Sequence, residues 1–235
     1  MKYSLSDYTK KKKEIDLNNY TLYICDMDGT LYYQRQLQLL MMISLLKHLL
    51  THPKDYWKLQ AIYYFRKLRN NDSNQNAIKE ESFDDSFYQI VASKLKKDKN
   101  EIKDVIFEWI CQNPLSLLKK CADYQLIDMI KDWRKSSKKV VILSDYPAKE
   151  KADALELTVD GIYSATDSNI MSMKPSTKGL EMICKEYKTD TKNILVIGDR
   201  FSKDAKMAIN GHIDYIILDR YKLSRRKTYH CMKQK

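Results

Sequence analysis

Tyr20-Thr21-Leu22-Tyr23-Ile24-Cys25-Asp26-Met27-Asp28-Gly29-Thr30 is the stretch that decides how this chain is read. Its first six residues are apolar and rich in β-formers, which predicts a buried strand over Thr21–Asp26. Two carboxylates then leave the C-terminal end of that strand and run into a glycine turn. In an open α/β sheet, ligands bind in the crevice outside such strand ends. Asp26 and Asp28 are close enough for like-charge repulsion to raise one pKa, so the pair calls for a cation, a proton or both. A metal-assisted reaction with one carboxylate as nucleophile and the other as proton carrier uses a pair of this kind. An Asp-rich turn capping a helix would be spelled with the same letters. The rest of the chain has to decide between them.

Working outward, residues 1–19 read as a charged lead-in, and residues 34–122 show helical spacing throughout. Leu37/Leu40/Met41, Ile62/Phe65, Phe87/Ile90/Val91 and Val105/Ile106/Trp109 sit at helical intervals, with polar breaks at 70–76 and 96–100. This block is predicted to be an all-helical insertion. Alternating character follows it: a helix over Leu126–Ser136, a strand over Lys139–Leu143 ending at Ser144-Asp145, and a helix over Ala148–Leu157. Next come a short strand at Gly161–Ser164, a helix over Ser176–Tyr187, and a strand over Asn193–Ile197 ending at Gly198-Asp199. A helix over Ser202–Asn210 and a last strand over Asp214–Leu218 complete the series. Strands alternating with helices imply parallel βαβ units with right-handed crossovers. The fold class expected is therefore α/β, a Rossmann-like three-layer parallel-sheet core with an inserted all-α domain.

Composition sets the bounds. The chain has 235 residues, 43% hydrophobic and 31% charged, so it is globular rather than disordered. Its five cysteines form no CxxC pair, which reads as reduced thiols in a cytoplasmic protein. The N-terminal residues are polar and lysine-rich, without an apolar signal core. The apolar run Leu37–Leu50 is too short to cross a bilayer. The segment around Tyr56, Trp57, Tyr63, Tyr64 and Phe65, set among basic residues, has the mixture of an interfacial helix, although core packing explains it as well. The net charge is +11, and residues 220–235 alone carry seven Lys/Arg and no acid. That stretch reads as a solvated basic tail, able to meet anionic lipid, nucleic acid or an acidic partner.

Three predicted strands end in acids: Asp26 with Asp28, Asp145, and Asp199 with Asp204 a helical turn later. Parallel strands place all their C-terminal ends on one edge, so the topology gathers these groups although they are distant in sequence. The whole pattern resembles the haloacid dehalogenase-like (HAD) superfamily of phosphohydrolases. Its four motifs are matched in order by Asp26-Met27-Asp28-Gly29-Thr30, by Ser144, by Lys174 in Met173-Lys174-Pro175, and by Gly198-Asp199-Arg200 with Asp204. The resemblance covers residues 20–33 and about 123–219. It implies a core of residues 1–33 and 123–219, a helical cap at 34–122, and a basic tail at 220–235.

The resemblance also implies roles. Asp26 would form an aspartyl-phosphate. Asp28 would protonate the leaving oxygen and then deprotonate water, a role that needs a raised pKa, which its acidic neighbours would favour. Mg²⁺ would be held by Asp26, the backbone carbonyl of Asp28 and Asp199, with Asp204 orienting the site. Ser144 would bind phosphate oxygens, and Lys174 would hold phosphate and nucleophile by charge. Asp145 and Arg200 lie where they could touch a ligand but are given no role. Gln34, Arg35 and Gln36 are candidate contacts after the first motif. Asp28 argues against a haloalkanoate dehalogenase, which uses a single nucleophilic aspartate. The expected function is an Mg²⁺-dependent phosphatase acting on a small phosphorylated metabolite. A phosphosugar mutase, or a non-catalytic binding module using the basic tail at a membrane surface, are the alternatives.

Overall fold

The computed structural model describes residues 16–69 and 83–233. Two compact units result, one formed by residues 1–34 and 122–235 and the other by residues 35–121. The first unit is built on a five-stranded sheet of order β3-β2-β1-β4-β5. Its strands are β1 (Leu22–Cys25), β2 (Lys139–Ser144), β3 (Gly161–Ser164), β4 (Ile194–Gly198) and β5 (Asp214–Ile217). Every pairing is parallel. The α/β class is therefore as the sequence implied, with strand limits within a residue or so of the expected ones.

Strand β1 lies in the middle because the chain winds to β2 and β3 on one side, then crosses to β4 and β5 on the other. Cys25 is level with Ile142 and with Ile197. Asp26 therefore leaves the sheet where the strand order reverses, the place at which open sheets bind ligands. The three central strands β1, β2 and β4 are buried on both faces apart from Lys139, as parallel sheets covered by helices require. On one face Leu22, Ile24, Val141, Leu143 and Val196 pack with Leu180 and Ile183 of helix Lys178–Tyr187, and with Met207 and Ala208 of helix Lys206–Asn210. On the other, the Tyr23 ring stacks on Trp133 of helix Tyr124–Lys135, with centroids 4.1 Å apart. Cys25 is fully buried and its thiol is pushed up to about 12 by burial and by Asp26 beside it, so it serves as a small core residue.

The second unit is helical over its described residues. Its α-helices are α1 (Gln34–Thr51, whose first residue belongs to the other unit), α2 (Tyr56–Arg69), α3 (Phe83–Leu95), α4 (Lys99–Ile106) and α5 (Leu115–Cys121), with a π-helical turn at Phe107–Gln112. The expected break at 70–76 lies outside the described residues. The break at 96–100 is there: Lys96 takes a left-handed conformation, and Asp98 begins α4 with a capping box closed by Glu101. Phe65, Phe87, Val91, Ile102, Val105 and Trp109 form the core of this unit. The Phe65 ring packs edge-on to Phe87 and stacks on Tyr88. His48 pairs with Asp55 at 2.8 Å, a structural role. No described helix is long and apolar enough to cross a membrane.

The helices of the first unit continue the numbering as α6 (Tyr124–Lys135), α7 (Lys149–Ala154), α8 (Lys178–Tyr187), α9 (Lys206–Asn210) and α10 (Lys222–Lys233). The helix expected over Ser202–Asn210 opens as a π-helical turn at Phe201–Ala205 before α9. The larger difference is α10. The segment read as a solvated basic tail folds into a helix that buries Arg225, Thr228, Tyr229 and Met232 on one face. These positions have helical spacing, but the stripe begins with an arginine, so hydrophobic periodicity did not reveal it.

Candidate active site

The Asp26–Thr30 loop begins as an extension of β1, with the Asp26 amide bonded to the Ile197 carbonyl at 2.8 Å. Gly29 then takes φ +96°, a left-handed conformation that disfavours any side chain. Space excludes one as well: a Cβ at Gly29 would collide with the Asp199 carboxylate, and one at Gly198 with Asp204. The two glycines thus let the ends of β1 and β4 approach closely enough for their carboxylates to share one site. Asp26, Asp199 and Asp204 each present a carboxylate oxygen within 4.8 Å of the others.

One buried cation serves two of these three. The Lys174 ammonium donates to Asp26, to Asp204 at 2.6 Å and to the Leu143 carbonyl at 3.1 Å. Burial alone would lower the Lys174 pKa, but Asp204, Asp26 and Asp145 raise it well above the usual lysine range. Asp204 also accepts from the Arg200 amide at 3.0 Å, and Asp26 from the Thr30 hydroxyl at 3.0 Å. Asp199 is less well served. Its Oδ1 is buried with no hydrogen-bond partner, and the nearest guanidinium nitrogen, Nε of Arg200, stands 3.9 Å away. Its pKa is pushed up to about 6 by burial and by Asp204. Asp26 is raised too, first by burial and then by Asp204 and Asp199, against the pull of Lys174. Buried Asp26 and Asp204 share one ammonium and half-buried Asp199 has only a long contact to Arg200, so the trio is short of positive charge. A hard divalent cation bound by oxygen ligands would correct it and would use the orphaned Asp199 oxygen. The residues therefore fit Mg²⁺.

Asp28 behaves differently. Its carboxylate accepts from Lys151 at 2.6 Å and from the Tyr32 hydroxyl. Burial pushes its pKa up, but Lys151 and Tyr32 outweigh burial and hold the carboxyl below the usual range. The raised pKa expected of Asp28 is thus reversed. The reason is a lysine that the sequence reading did not place: Lys151, on α7, is 8% exposed. A lysine in a short helix reads as a surface residue, and its burial here goes with the ion pair it makes to Asp28. Asp145 is likewise held low: burial would raise it, but Lys174 and Lys203 outweigh that, with Lys203 at 2.6 Å and the Lys174 amide at 2.9 Å. Lys203 also went unread, for the same reason.

Asp26, Asp28, Lys174, Asp199 and Asp204 line one crevice, together with Asp145, Tyr146, Arg200 and Lys203. Ser144 does not line it. That side chain is buried at the end of β2, and its hydroxyl accepts from the Tyr146 amide at 3.2 Å, a turn-stabilising bond. Arg35 and Gln36 are exposed in the first turn of α1, where the Gln36 side chain donates to the Lys120 carbonyl; Gln34 is half-buried.

The chain matches the family model for haloacid dehalogenase-like hydrolases over residues 20–212. No curated protein sequence matches it. Among solved structures it is similar to YfnB of Bacillus subtilis, described as a HAD-hydrolase bound to magnesium: 12% identity, 91% of this chain and 99% of the other, TM-score 0.62. It is also similar to a 2-haloacid dehalogenase of Pseudomonas syringae (15% identity, 85% and 86% covered, TM-score 0.59). A third likeness is to a Thermotoga maritima protein described as a beta-phosphoglucomutase (13% identity, 84% of each chain, TM-score 0.53). At these identities the likeness is one of fold.

Proposed function

The chain belongs to the haloacid dehalogenase-like hydrolase family, and within it we propose that it is an Mg²⁺-dependent phosphatase of a small phosphorylated metabolite. The observation that carries this reading is Asp28. It is a second carboxylate two residues from the nucleophile, and it lines the same crevice. Displacement of halide by one aspartate has no use for it, whereas transfer of a phosphoryl group to and from oxygen needs a proton carrier.

In this reading a carboxylate oxygen of Asp26 attacks phosphorus, and the bond from phosphorus to the leaving oxygen breaks. Water then attacks the aspartyl-phosphate, and the bond between phosphorus and Asp26 breaks. Asp28 gives the leaving oxygen its proton in the first half and takes one from water in the second. Held ionised by Lys151 and Tyr32, it is ready for the second half. For the first it must gain a proton, and a phosphate monoester, whose second ionisation lies near pH ~6, can bring one. Lys174 keeps Asp26 oriented and offsets charge on the transferring group. Asp26, Asp199 and Asp204, with the Asp28 carbonyl, would hold the metal, which when bound supplies positive charge against the phosphate. Ser144 is the phosphate-binding residue of this reading, its hydroxyl turning from Tyr146 to do so. The helical unit, inserted between the first and second motifs, would act as the substrate-selecting cap.

The test is release of inorganic phosphate from p-nitrophenyl phosphate and a panel of phosphorylated metabolites, with Mg²⁺ and with EDTA, for wild type and Asp26→Asn. Mg²⁺-dependent turnover, lost in Asp26→Asn, is the expected result. Halide release from 2-haloacids without phosphate release would overturn the reading.

A further inference from the structure

The buried arginine of α10 has no part in the chemistry above, yet it grips the loop that performs it. Arg225 is 1% exposed, the largest of the fully buried side chains among the described residues. Its Nη2 donates to the Gly29 carbonyl, and its Nη1 donates to the Thr30 carbonyl at 2.9 Å and to Asp123 at 2.9 Å. Nε donates to the Asp219 carbonyl, and the guanidinium lies over the Tyr33 ring with its carbon 4.8 Å from the centroid. Asp123 also accepts from the Tyr229 hydroxyl at 2.8 Å, and its amide donates to the Leu31 carbonyl at 2.9 Å. One planar group therefore fastens the two carbonyls that follow Asp28 and the two segments, around Tyr33 and Asp123, through which the chain leaves and re-enters the α/β unit.

Chemistry explains why an arginine does this. Gly29 and Thr30 are buried, so their carbonyls need donors from within the protein. Gly29 adopts left-handed backbone, which turns its carbonyl away from any regular ladder. Five N–H donors in a rigid fork satisfy both carbonyls and a carboxylate at once, and a lysine ammonium cannot. The helix that delivers the fork, Lys222–Lys233, lies beyond residue 212, where the family match stops.

We propose that Arg225 is a positioning residue for catalysis: α10 sets the conformation of the Asp26–Thr30 loop through the Gly29 and Thr30 carbonyls, with Tyr229 and Asp123 holding the arginine in place. The kinetic part of this proposal rests on the phosphatase reading; the positioning itself does not.

The experiment compares full-length wild type with Arg225→Met and Arg225→Lys. Amide hydrogen exchange is followed in peptides covering residues 26–33 and 120–124, with β5 and α8 as references. In Arg225→Met the first two regions are expected to exchange ~10-fold faster or more while β5 and α8 hold their protection. Turnover of p-nitrophenyl phosphate with Mg²⁺ is expected to show kcat down ~10-fold or more with KM changed less than ~2-fold, the pattern of a lost transition-state interaction. Arg225→Lys is expected to fall between the two. Exchange that is unchanged in the loop, or that rises uniformly over the chain, would overturn the proposal, because α10 would then contribute only bulk stability. If Arg225→Met does not fold, Arg225→Lys decides by the same criterion. If wild type releases no phosphate, the phosphatase reading fails while the exchange data still decide the positioning.

Discussion

Two clusters of buried charge hold the Asp26–Thr30 loop, and they differ in how their charges balance. Around its side chains, Asp26 and Asp204 share the ammonium of Lys174, while Asp199 has only Arg200 at 3.9 Å and one oxygen without a hydrogen-bond partner. Around its carbonyls, Arg225 and Asp123 pair one to one, and Tyr229 adds a further donor to Asp123. Burying charge is costly unless every partner is present. The balanced cluster satisfies that condition within the chain and is structure. The unbalanced one fits a bound cation and, in the phosphatase reading proposed above, an anionic substrate, which is how a binding site would differ from a strut made of similar residues.

The largest expected effect comes from unbalancing the site further. Lys174→Met removes the ammonium shared by Asp26 and Asp204 and is expected to lower kcat ~10²–10³-fold, as loss of a charge-stabilising donor does. Phosphate-release kinetics with p-nitrophenyl phosphate check it. A near-normal rate would mean that Lys174 only neutralises the resting site.

An intermediate effect follows from Asp199. Its folded-state pKa of about 6 lies above the ordinary carboxylate value, so the folded protein binds that proton more tightly than the unfolded chain does. In the metal-free protein, the stability due to this group is fully present below pH ~4 and is lost as pH rises through about 6. Mg²⁺ needs the ionised form, so its stabilising effect runs in the opposite direction. The rise in Tm produced by a fixed excess of Mg²⁺ should be larger at pH ~7.5 than at pH ~5, because metal binding releases the proton. Asp199→Asn should shrink that rise and weaken its pH dependence, leaving the part due to Asp26. Thermal unfolding with and without EDTA measures both.

The smallest effect belongs to the balanced cluster. Tyr229→Phe deletes one donor to Asp123 but leaves the arginine fork, so it should cost about 1 kcal/mol of stability. The midpoint of urea unfolding reads this directly. A loss several times larger would break the comparison, since it would show that the strut has no donor to spare.

Much of the α/β unit was legible because its signals are local. Leu22–Cys25, Val140–Leu143 and Ile194–Ile197 are short apolar runs closed by acids, and a parallel sheet leaves one edge on which to collect those acids. Met173-Lys174-Pro175 was legible through the family resemblance and not through its own letters. Lys151, Lys203, Arg225 and Tyr32 were not read, for a common physical reason. Each is a polar residue whose burial the local pattern does not announce; Lys151, Lys203 and Arg225 have partners distant in sequence, and Tyr32 meets Asp28 only four positions away. The pKa of Asp28 was misjudged in consequence, since repulsion from acids was visible and the compensating lysine was not. The basic segment 220–235 was read by its average charge, while its fold is set by the four buried positions of α10.

The reach of Arg225 along the chain has one more consequence. The carbonyl of Gly29 and the guanidinium that holds it are separated by 196 positions. During synthesis the ribosome must add almost two hundred residues after this loop before α10 can fasten it. Over that interval the Asp26–Thr30 loop is made but its arginine clamp is not.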